Sequence, residues 1–206
     1  MSRPLAVDAF CGMGGMTDGM LAEGFRVLGI DTERRPEYRG ELCQQDIRTV
    51  KLDGALDDVA WFHASPPCTR FSLARCNRKT DPPTAADLDL LYEALRLRDE
   101  LRPRFWSIEN VRGALPWFEP VLGKPRLRHG PFYFWGNSPA FLAERSGLRK
   151  GIYGSKSPRT AQLGKQTKPR DPWASARLPI ELTRPMAGAV MAALRPVCIV
   201  EAANHG

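Results

Sequence analysis

The chain opens with an apolar run, a glycine-rich turn and a helical segment, and this order limits its fold more than any other feature. Leu5 to Phe10 predicts a buried strand, Gly12-Met13-Gly14-Gly15 a tight turn, and Met16 to Glu23 a helix. Glycines let the backbone approach a ligand closely, and the first turn of a helix offers N–H groups to an anionic group. The sequence therefore predicts a ligand-binding turn at the start of an α/β fold.

Strands and helices alternate along the first two thirds of the chain. Further strands are predicted at Phe25–Ile30, Val59–Ala64, Phe105–Ile108 and Phe132–Trp135, with an amphipathic helix between Thr84 and Leu101 and a last helix from Pro179 to Pro196. This alternation is typical of a doubly wound, mostly parallel α/β sheet. A length of 206 residues suits one domain, residues 1–206.

Charge and cysteine content narrow the class of protein. The net charge is +7, which favours polyanions such as nucleic acid. The five cysteines form no CxxC pair, so we expect neither disulfides nor a bound metal. No apolar run reaches the roughly 18 residues of a membrane helix, and the first residues lack the apolar stretch of a secretory signal. These features predict a cytoplasmic protein without membrane contact.

An acid follows the second predicted strand. Asp31 lies 17 residues (31 minus 14) after Gly14, close to the spacing at which an acid commonly accepts hydrogen bonds from a ribose. The glycine turn and Asp31 together suit S-adenosylmethionine and a nicotinamide dinucleotide equally well. A purely structural turn is the third interpretation.

Cys68 and Glu109 stand at the ends of two further predicted strands. Cys68 follows Pro66 and Pro67, and Glu109 begins the sequence Glu-Asn-Val. Because parallel strands deliver their carboxyl ends to one cleft, we expect the two side chains to meet. Carbon 5 of a cytosine accepts a methyl group only after a nucleophile has added to carbon 6. A thiolate can make that addition, and a carboxylic acid near ring nitrogen 3 can stabilise the product. A lone cysteine after prolines more often has a structural role, but the presence of Glu109 on the next strand favours a catalytic role for Cys68.

These motifs occur in the order found in the DNA cytosine-5 methyltransferase family, which the chain resembles from Asp8 to Val111. The matching segments are DAFCGMGG at 8–15, Asp31, QDI at 45–47, PPCTRFS at 66–72 and ENV at 109–111. The resemblance implies a Rossmann-like fold of the methyltransferase type. It also implies S-adenosylmethionine as the cofactor and DNA as the partner.

The resemblance further implies roles for single residues. Cys68 would attack carbon 6, Glu109 would act at nitrogen 3, Asn110 would order the loop, and Asp46 would bond the adenine. The cofactor would contact Phe10, Cys11, Gly12, Gly14, Gly15, Asp31, Asp46, Ile47 and Pro67, and Ser72 would face the substrate. Arg126 and Arg128 resemble the family's Arg-x-Arg pair, with a pair of surface arginines as the alternative.

The chain departs from the family pattern after this point. Typical members carry a separate target-recognition domain, where this chain has only residues 141–178. Gly136-Asn137-Ser138 comes too early to be the family's closing motif, and Leu178 to Thr183 is similar to the end of short, phage-borne members. We expect the basic residues of this segment to contact DNA phosphates, namely Lys156, Arg159, Lys165, Lys168 and Arg170.

Three alternatives follow from the sequence. A short chain would also suit cytosine-5 methylation of RNA or of a free nucleotide. A catalytically silent, DNA-binding relative is the second alternative, which the presence of both Cys68 and Glu109 disfavours. A nicotinamide-dependent oxidoreductase is the third, and it leaves both of these residues without a role.

Overall fold

A computed structural model describes residues 2–52, 56, 58–72, 81–141 and 177–195. The strands of this part are β1 (Leu5–Ala9), β2 (Arg26–Asp31), β3 (Glu41–Gln44), β4 (Val59–Ala64), β5 (Phe105–Val111), β6 (Leu127–His129) and β7 (Phe132–Gly136). The α-helices are α1 (Gly15–Ala22), α2 (Asp89–Leu101), α3 (Leu115–Leu122) and α4 (Ile180–Leu194). None of these helices is long and apolar enough to cross a membrane.

The strands form one sheet in the order β3-β2-β1-β4-β5-β7-β6. Pairing is parallel from β3 to β5, while β7 runs antiparallel to both β5 and β6. Because only two residues separate β6 from β7, that connection is a hairpin, and a hairpin joins antiparallel strands. The predicted doubly wound, mostly parallel α/β sheet is confirmed.

Apolar side chains cover both faces of the sheet. On one face, Phe62 and Ile108 pack beneath α2 and α3 with Leu91 and Phe118, all of them nearly fully buried. On the other face, Trp61 and Phe134 share a cluster with residues of α1 and α4, including Met20, Leu182 and Met186. Burial on two faces explains why β1 and β4 are apolar throughout rather than alternating.

Most of the predicted elements are present. The helix expected between Thr84 and Leu101 comprises a short 3-10 turn followed by α2, and the Thr84 and Asp87 side chains cap its start reciprocally. β3 and β6 were not predicted, because each is a short edge strand without an alternating apolar pattern. The predicted insertion at 141–178 lies almost wholly outside the described residues.

Helix packing between α1 and α4 yields a stability prediction. A methyl group at Gly19 would lie 2.5 Å from the Thr183 carbonyl carbon, which overpacks the interface at a cost of about 1–3 kcal/mol. Alanine gains only about 1 kcal/mol in helix propensity over glycine. We therefore expect Gly19→Ala to lower the free energy of unfolding, measured by urea denaturation.

Gly188→Ala is the matched control, because its methyl group would approach only the Glu23 side chain, at 3.4 Å. This variant keeps the propensity gain and should be as stable as the native chain or slightly more stable. Equal effects from the two substitutions would contradict the described packing of α1 on α4.

Candidate active site

The turn after β1 has left-handed backbone at three positions. Phe10, Gly12 and Gly14 have φ values of 58°, 50° and 80°, a region that is strained for the Phe10 side chain and open to glycine. The N–H groups of Phe10 and Gly12 donate to the Ile30 carbonyl at 2.8 Å and to Asp31 Oδ2 at 2.9 Å. These bonds join the turn to the end of β2 and place Phe10 and Asp31 beside one opening.

Asp8 caps the start of α1 from beneath the turn. The N–H and the hydroxyl of Thr17 both donate to Asp8 Oδ2, at 3.0 and 2.6 Å. Burial raises the pKa of Asp8 to about 7, and the Thr17 bonds oppose this rise. The sequence predicted that the helix start would offer its N–H groups to an anionic ligand. In the structure a carboxyl group of the chain itself takes up one of these groups, the Thr17 N–H, and for the rest of the helix start the expectation stays a prediction.

A single cavity of about 330 Å³ runs along the carboxyl edge of the sheet, within the usual size of small-molecule sites. Its lining includes residues predicted to bind the cofactor, namely Phe10, Cys11, Gly12, Gly15, Asp31, Asp46, Ile47 and Pro67. Cys68 and Glu109 line the same cavity. Gly14 is the one predicted cofactor residue of the turn that is absent from the lining, and it serves instead as the N-cap of α1. The structure thus joins the two predicted half-sites.

Two contacts hold the loop that carries Cys68. Asn110 on β5 donates from Nδ2 to the Pro66 carbonyl at 2.9 Å, and this bond is buried. On the other side of Cys68, the Phe71 ring is fully buried in an edge-to-face contact with Phe118, at a centroid distance of 5.3 Å. The loop is therefore fixed on both sides of the thiol, and Asn110 occupies the position from which it can order the loop.

Cys68 and Glu109 influence each other electrostatically. Burial, followed by the negative charge of Glu109, raises the pKa of the Cys68 thiol above its usual value. Burial also raises the pKa of Glu109 to about 7, against a hydrogen bond from Ser65 that lowers it. Near pH 7 the pair thus holds a protonated thiol beside a carboxyl group that is close to half protonated. Such a carboxyl group can donate a proton under physiological conditions.

Asp46 and Ile47 form the far end of the cavity. Asp46 Oδ1 accepts the Arg48 N–H at 2.9 Å, and the Arg48 guanidinium links it to Asp89 on α2. The hydrogen bonds to Arg48 hold the pKa of Asp46 below its usual value, so this carboxylate remains an acceptor at neutral pH. Ile47 is buried beside it. Together they offer a ligand in the cavity one hydrogen-bond acceptor and one apolar surface.

The remaining predicted residues lie elsewhere. Arg126 and Arg128 belong to the β6–β7 hairpin and are absent from the cavity lining; the Arg128 guanidinium lies over the Tyr133 ring at 5.4 Å. Ser72 donates its backbone N–H to the Cys68 carbonyl, and its side chain does not line the cavity. Lys156, Arg159, Lys165, Lys168 and Arg170 lie outside the described residues.

Several residues at the site were not predicted to lie at the cavity. Arg177 and Leu178 line the cavity just ahead of α4, and Arg177 forms an ion pair with Asp18 on α1. His63 and Ser65 lie beneath Glu109, where a polar residue inside an otherwise apolar strand was the available signal. Within the described part of the chain, no cluster of three His, Cys, Asp or Glu side chains is arranged to hold a metal ion.

The sheet order, the antiparallel β7 and the cavity at the carboxyl edge define a Rossmann-like fold of the methyltransferase type. A family model described as C-5 cytosine-specific DNA methylase matches residues 6–116, more than half of the chain. The chain therefore belongs to the C-5 cytosine-specific DNA methylase family.

Curated relatives match about half of the chain. The type II methylase M.HgiDII of Herpetosiphon aurantiacus is 32% identical over 120 residues, covering 51% of this chain and 32% of the relative. The type II methyltransferase M.FnuDI of Fusobacterium nucleatum is 27% identical over 113 residues, covering 52% and 32%. The chain thus spans about a third of the length of these relatives.

Among solved structures, a putative DNA modification methyltransferase encoded within a prophage of E. coli is 21% identical, with a TM-score of 0.48. The match covers 65% of this chain and 46% of that one.

Proposed function

We propose that the protein transfers a methyl group from S-adenosylmethionine to carbon 5 of cytosine in DNA, through a covalent bond between Cys68 Sγ and carbon 6. One observation carries the proposal: Cys68 and Glu109, the nucleophile and the acid that this chemistry needs, line one cavity with Phe10 and Asp31. Membership of the methylase family adds the reaction type and the cofactor.

The cavity suits S-adenosylmethionine better than a nicotinamide dinucleotide. Its lining contains more acidic than basic side chains, namely Asp8, Asp31, Glu33, Asp46 and Glu109 against Arg35, Arg48 and Arg177. This excess of carboxyl groups favours a cationic sulfonium ligand over a pyrophosphate. Asp31 accepts one backbone N–H at each oxygen and keeps lone pairs for ribose hydroxyls. Phe10, Ile47 and Asp46 would hold the adenine, and the cofactor would supply the methyl group.

The chain's own residues divide the remaining chemistry. The Cys68 thiol gives its proton to water, and the resulting thiolate forms a bond to carbon 6. Glu109 donates a proton at nitrogen 3, so that electron density collects at carbon 5. After methylation, water in the cavity takes the carbon 5 proton, Sγ departs from carbon 6 and the nitrogen 3 proton returns to Glu109, which restores the aromatic ring. The raised pKa of Cys68 keeps the thiol protonated in the free protein. This limits side reactions of the thiol before the target cytosine enters the cavity.

We also propose that the chain is one domain over 1–206, in which residues 141–178 stand in place of a target-recognition domain. A base in a duplex cannot reach Cys68 until it is flipped out, so the DNA backbone has to be held while the base turns. The basic side chains of this segment supply the charge for that task, and Arg126 and Arg128 on the β6–β7 hairpin lie outside the cavity, where they could contact the backbone too.

A comparison of substrates tests the proposed reaction. We expect label from S-adenosylmethionine to appear as 5-methylcytosine in DNA, and not in RNA or free cytosine nucleotides. Cys68→Ser should abolish transfer because it removes the nucleophile, whereas Cys43→Ser on the edge strand β3 is the matched control and should retain it. Methyl transfer to RNA or nucleotides instead would contradict DNA as the substrate. Tight DNA binding without any transfer would favour a silent module.

The basic segment gives a separate prediction on DNA affinity. Each lysine or arginine that neutralises a phosphate contributes about 0.9 to the slope of log K against log salt. Alanine at five positions of the segment should therefore weaken binding and flatten this slope, measured by fluorescence anisotropy: Lys156, Arg159, Lys165, Lys168 and Arg170. A control with alanine at the exposed Lys51 and Lys124 should change little. An unchanged slope in the fivefold variant would rule out this role.

A further inference from the structure

A series of hydrogen-bonded, buried polar side chains lies beneath Glu109. The Trp61 indole N–H donates to Ser107 Oγ at 3.1 Å. Ser107 Oγ lies 2.7 Å from His63 Nδ1, and His63 Nε2 lies 3.0 Å from Ser65 Oγ. Trp61, His63 and Ser107 are fully buried, and Ser65 lines the cavity together with Glu109, whose pKa the Ser65 hydroxyl lowers. Four side chains thus connect the core of the sheet to the acid of the site.

The strand register produces this arrangement. β4 pairs with β5 so that His63 lies opposite Ser107, and Ala64 opposite Ile108. Ser65 and Glu109 directly follow this last pair in the sequence, and both line the cavity. Because side chains on a strand alternate between faces, His63 and Ser107 point to the same face as Trp61 and Glu109.

The hydrogen bonds in this series of side chains all point in one direction, from Trp61 towards Glu109. The indole of Trp61 can only donate, so Ser107 Oγ accepts from it and directs its own proton to His63 Nδ1. Burial lowers the pKa of His63 to about 3, so the imidazole is neutral and carries its single proton on Nε2. Nε2–H then donates to Ser65 Oγ, and the Ser65 hydroxyl proton turns to Glu109. If His63 carried its proton on Nδ1 instead, the buried hydroxyl proton of Ser107 would have no acceptor among the described residues.

We propose that Trp61, Ser107, His63 and Ser65 form a one-way hydrogen-bond relay that makes Ser65 a permanent donor to Glu109 and keeps the acid's own proton on its other oxygen. That oxygen takes no hydrogen bond from a described side chain and is left for the base in the cavity. No proton moves along the relay. His63 and Ser65 are positioning residues, and this role rests on the proposed use of Glu109 as the proton donor.

Other titratable groups near the relay are already engaged. Asp8, the neighbour of His63 on β1, accepts two bonds from Thr17. Asp18 on α1 pairs with Arg39 and with Arg177, the cation that lines the cavity ahead of α4. Cys68 is the group whose pKa responds to the charge of Glu109. The relay therefore acts on Glu109 alone, and through it on the thiol.

Nuclear magnetic resonance tests the direction of the relay in the unsubstituted 206-residue chain. The chain has three histidines, so the imidazole ¹⁵N signals of His63 can be assigned with a His63→Gln variant. We expect the Nε2–H tautomer, unprotonated at Nδ1 and unchanged between pH 6 and 8. A stable Nδ1–H tautomer would overturn the proposal, because Ser65 would then donate to His63 rather than to Glu109.

Substitutions at Ser65 test the effect on Glu109. Ser65→Ala removes the bond that favours the carboxylate, so the titration midpoint of the Glu109 carboxyl ¹³C signal should rise by about one pH unit. Ser65→Thr restores the hydroxyl and should restore the midpoint. Ser107→Ala frees the other tautomer and should shift the midpoint upward as well. A midpoint that Ser65→Ala leaves unchanged would overturn the proposal.

The pH profile of methyl transfer gives the catalytic readout. Transfer needs protonated Glu109 with deprotonated Cys68, and the thiol has the higher pKa. The fraction of the protein in this form rises with pH up to the pKa of Glu109 and then levels off. The acidic limb of the kcat/KM profile therefore has its midpoint at the pKa of Glu109. Ser65→Ala should move this limb to higher pH. If the native chain transfers no methyl group, the proposed function fails, while the two resonance measurements still decide whether the relay exists.

Discussion

The parallel pairing of β4 with β5 is the interaction on which the rest of the site depends. It places the carboxyl ends of the two strands side by side, so that the loop after β4 brings Cys68 into the cavity that Glu109 enters from β5. Asn110 then bonds the Pro66 carbonyl across the same pair of strands. A shift of one residue in this register would turn Glu109 to the opposite face of the sheet and separate the acid from the thiol.

Burial gives this pair its chemical character. In water a carboxyl group near pH 7 would be fully ionised and could not donate a proton, yet burial raises the pKa of Glu109 to about 7. The same burial keeps the Cys68 thiol protonated. The low local dielectric also makes every hydrogen bond to these groups more influential, which is why one serine hydroxyl can alter the titration of Glu109.

Local patterns in the sequence predicted the fold, and the family resemblance added most of the cavity residues. Apolar runs, the glycine turn and the spacing to Asp31 depend on neighbours along the chain, and the residues they mark do line one opening. The link between His63 and Ser107 depends on the register of two strands 44 positions apart, which no local pattern reveals. β3 and β6 were similarly hidden, because these short edge strands carry little apolar periodicity. Asp8 as the cap of α1 required knowing which way its side chain turns.

The most direct test of the central claim is covalent trapping on DNA that contains 5-fluorocytosine, in the presence of S-adenosylmethionine. Fluorine at carbon 5 cannot leave as a proton does, so an enzyme that bonds to carbon 6 stays attached to its substrate. The account predicts a stable adduct whose peptide map places the DNA on Cys68, with none formed by Cys68→Ser. An intact chain that binds this DNA without forming an adduct, or an adduct on one of the four other cysteines, would contradict it.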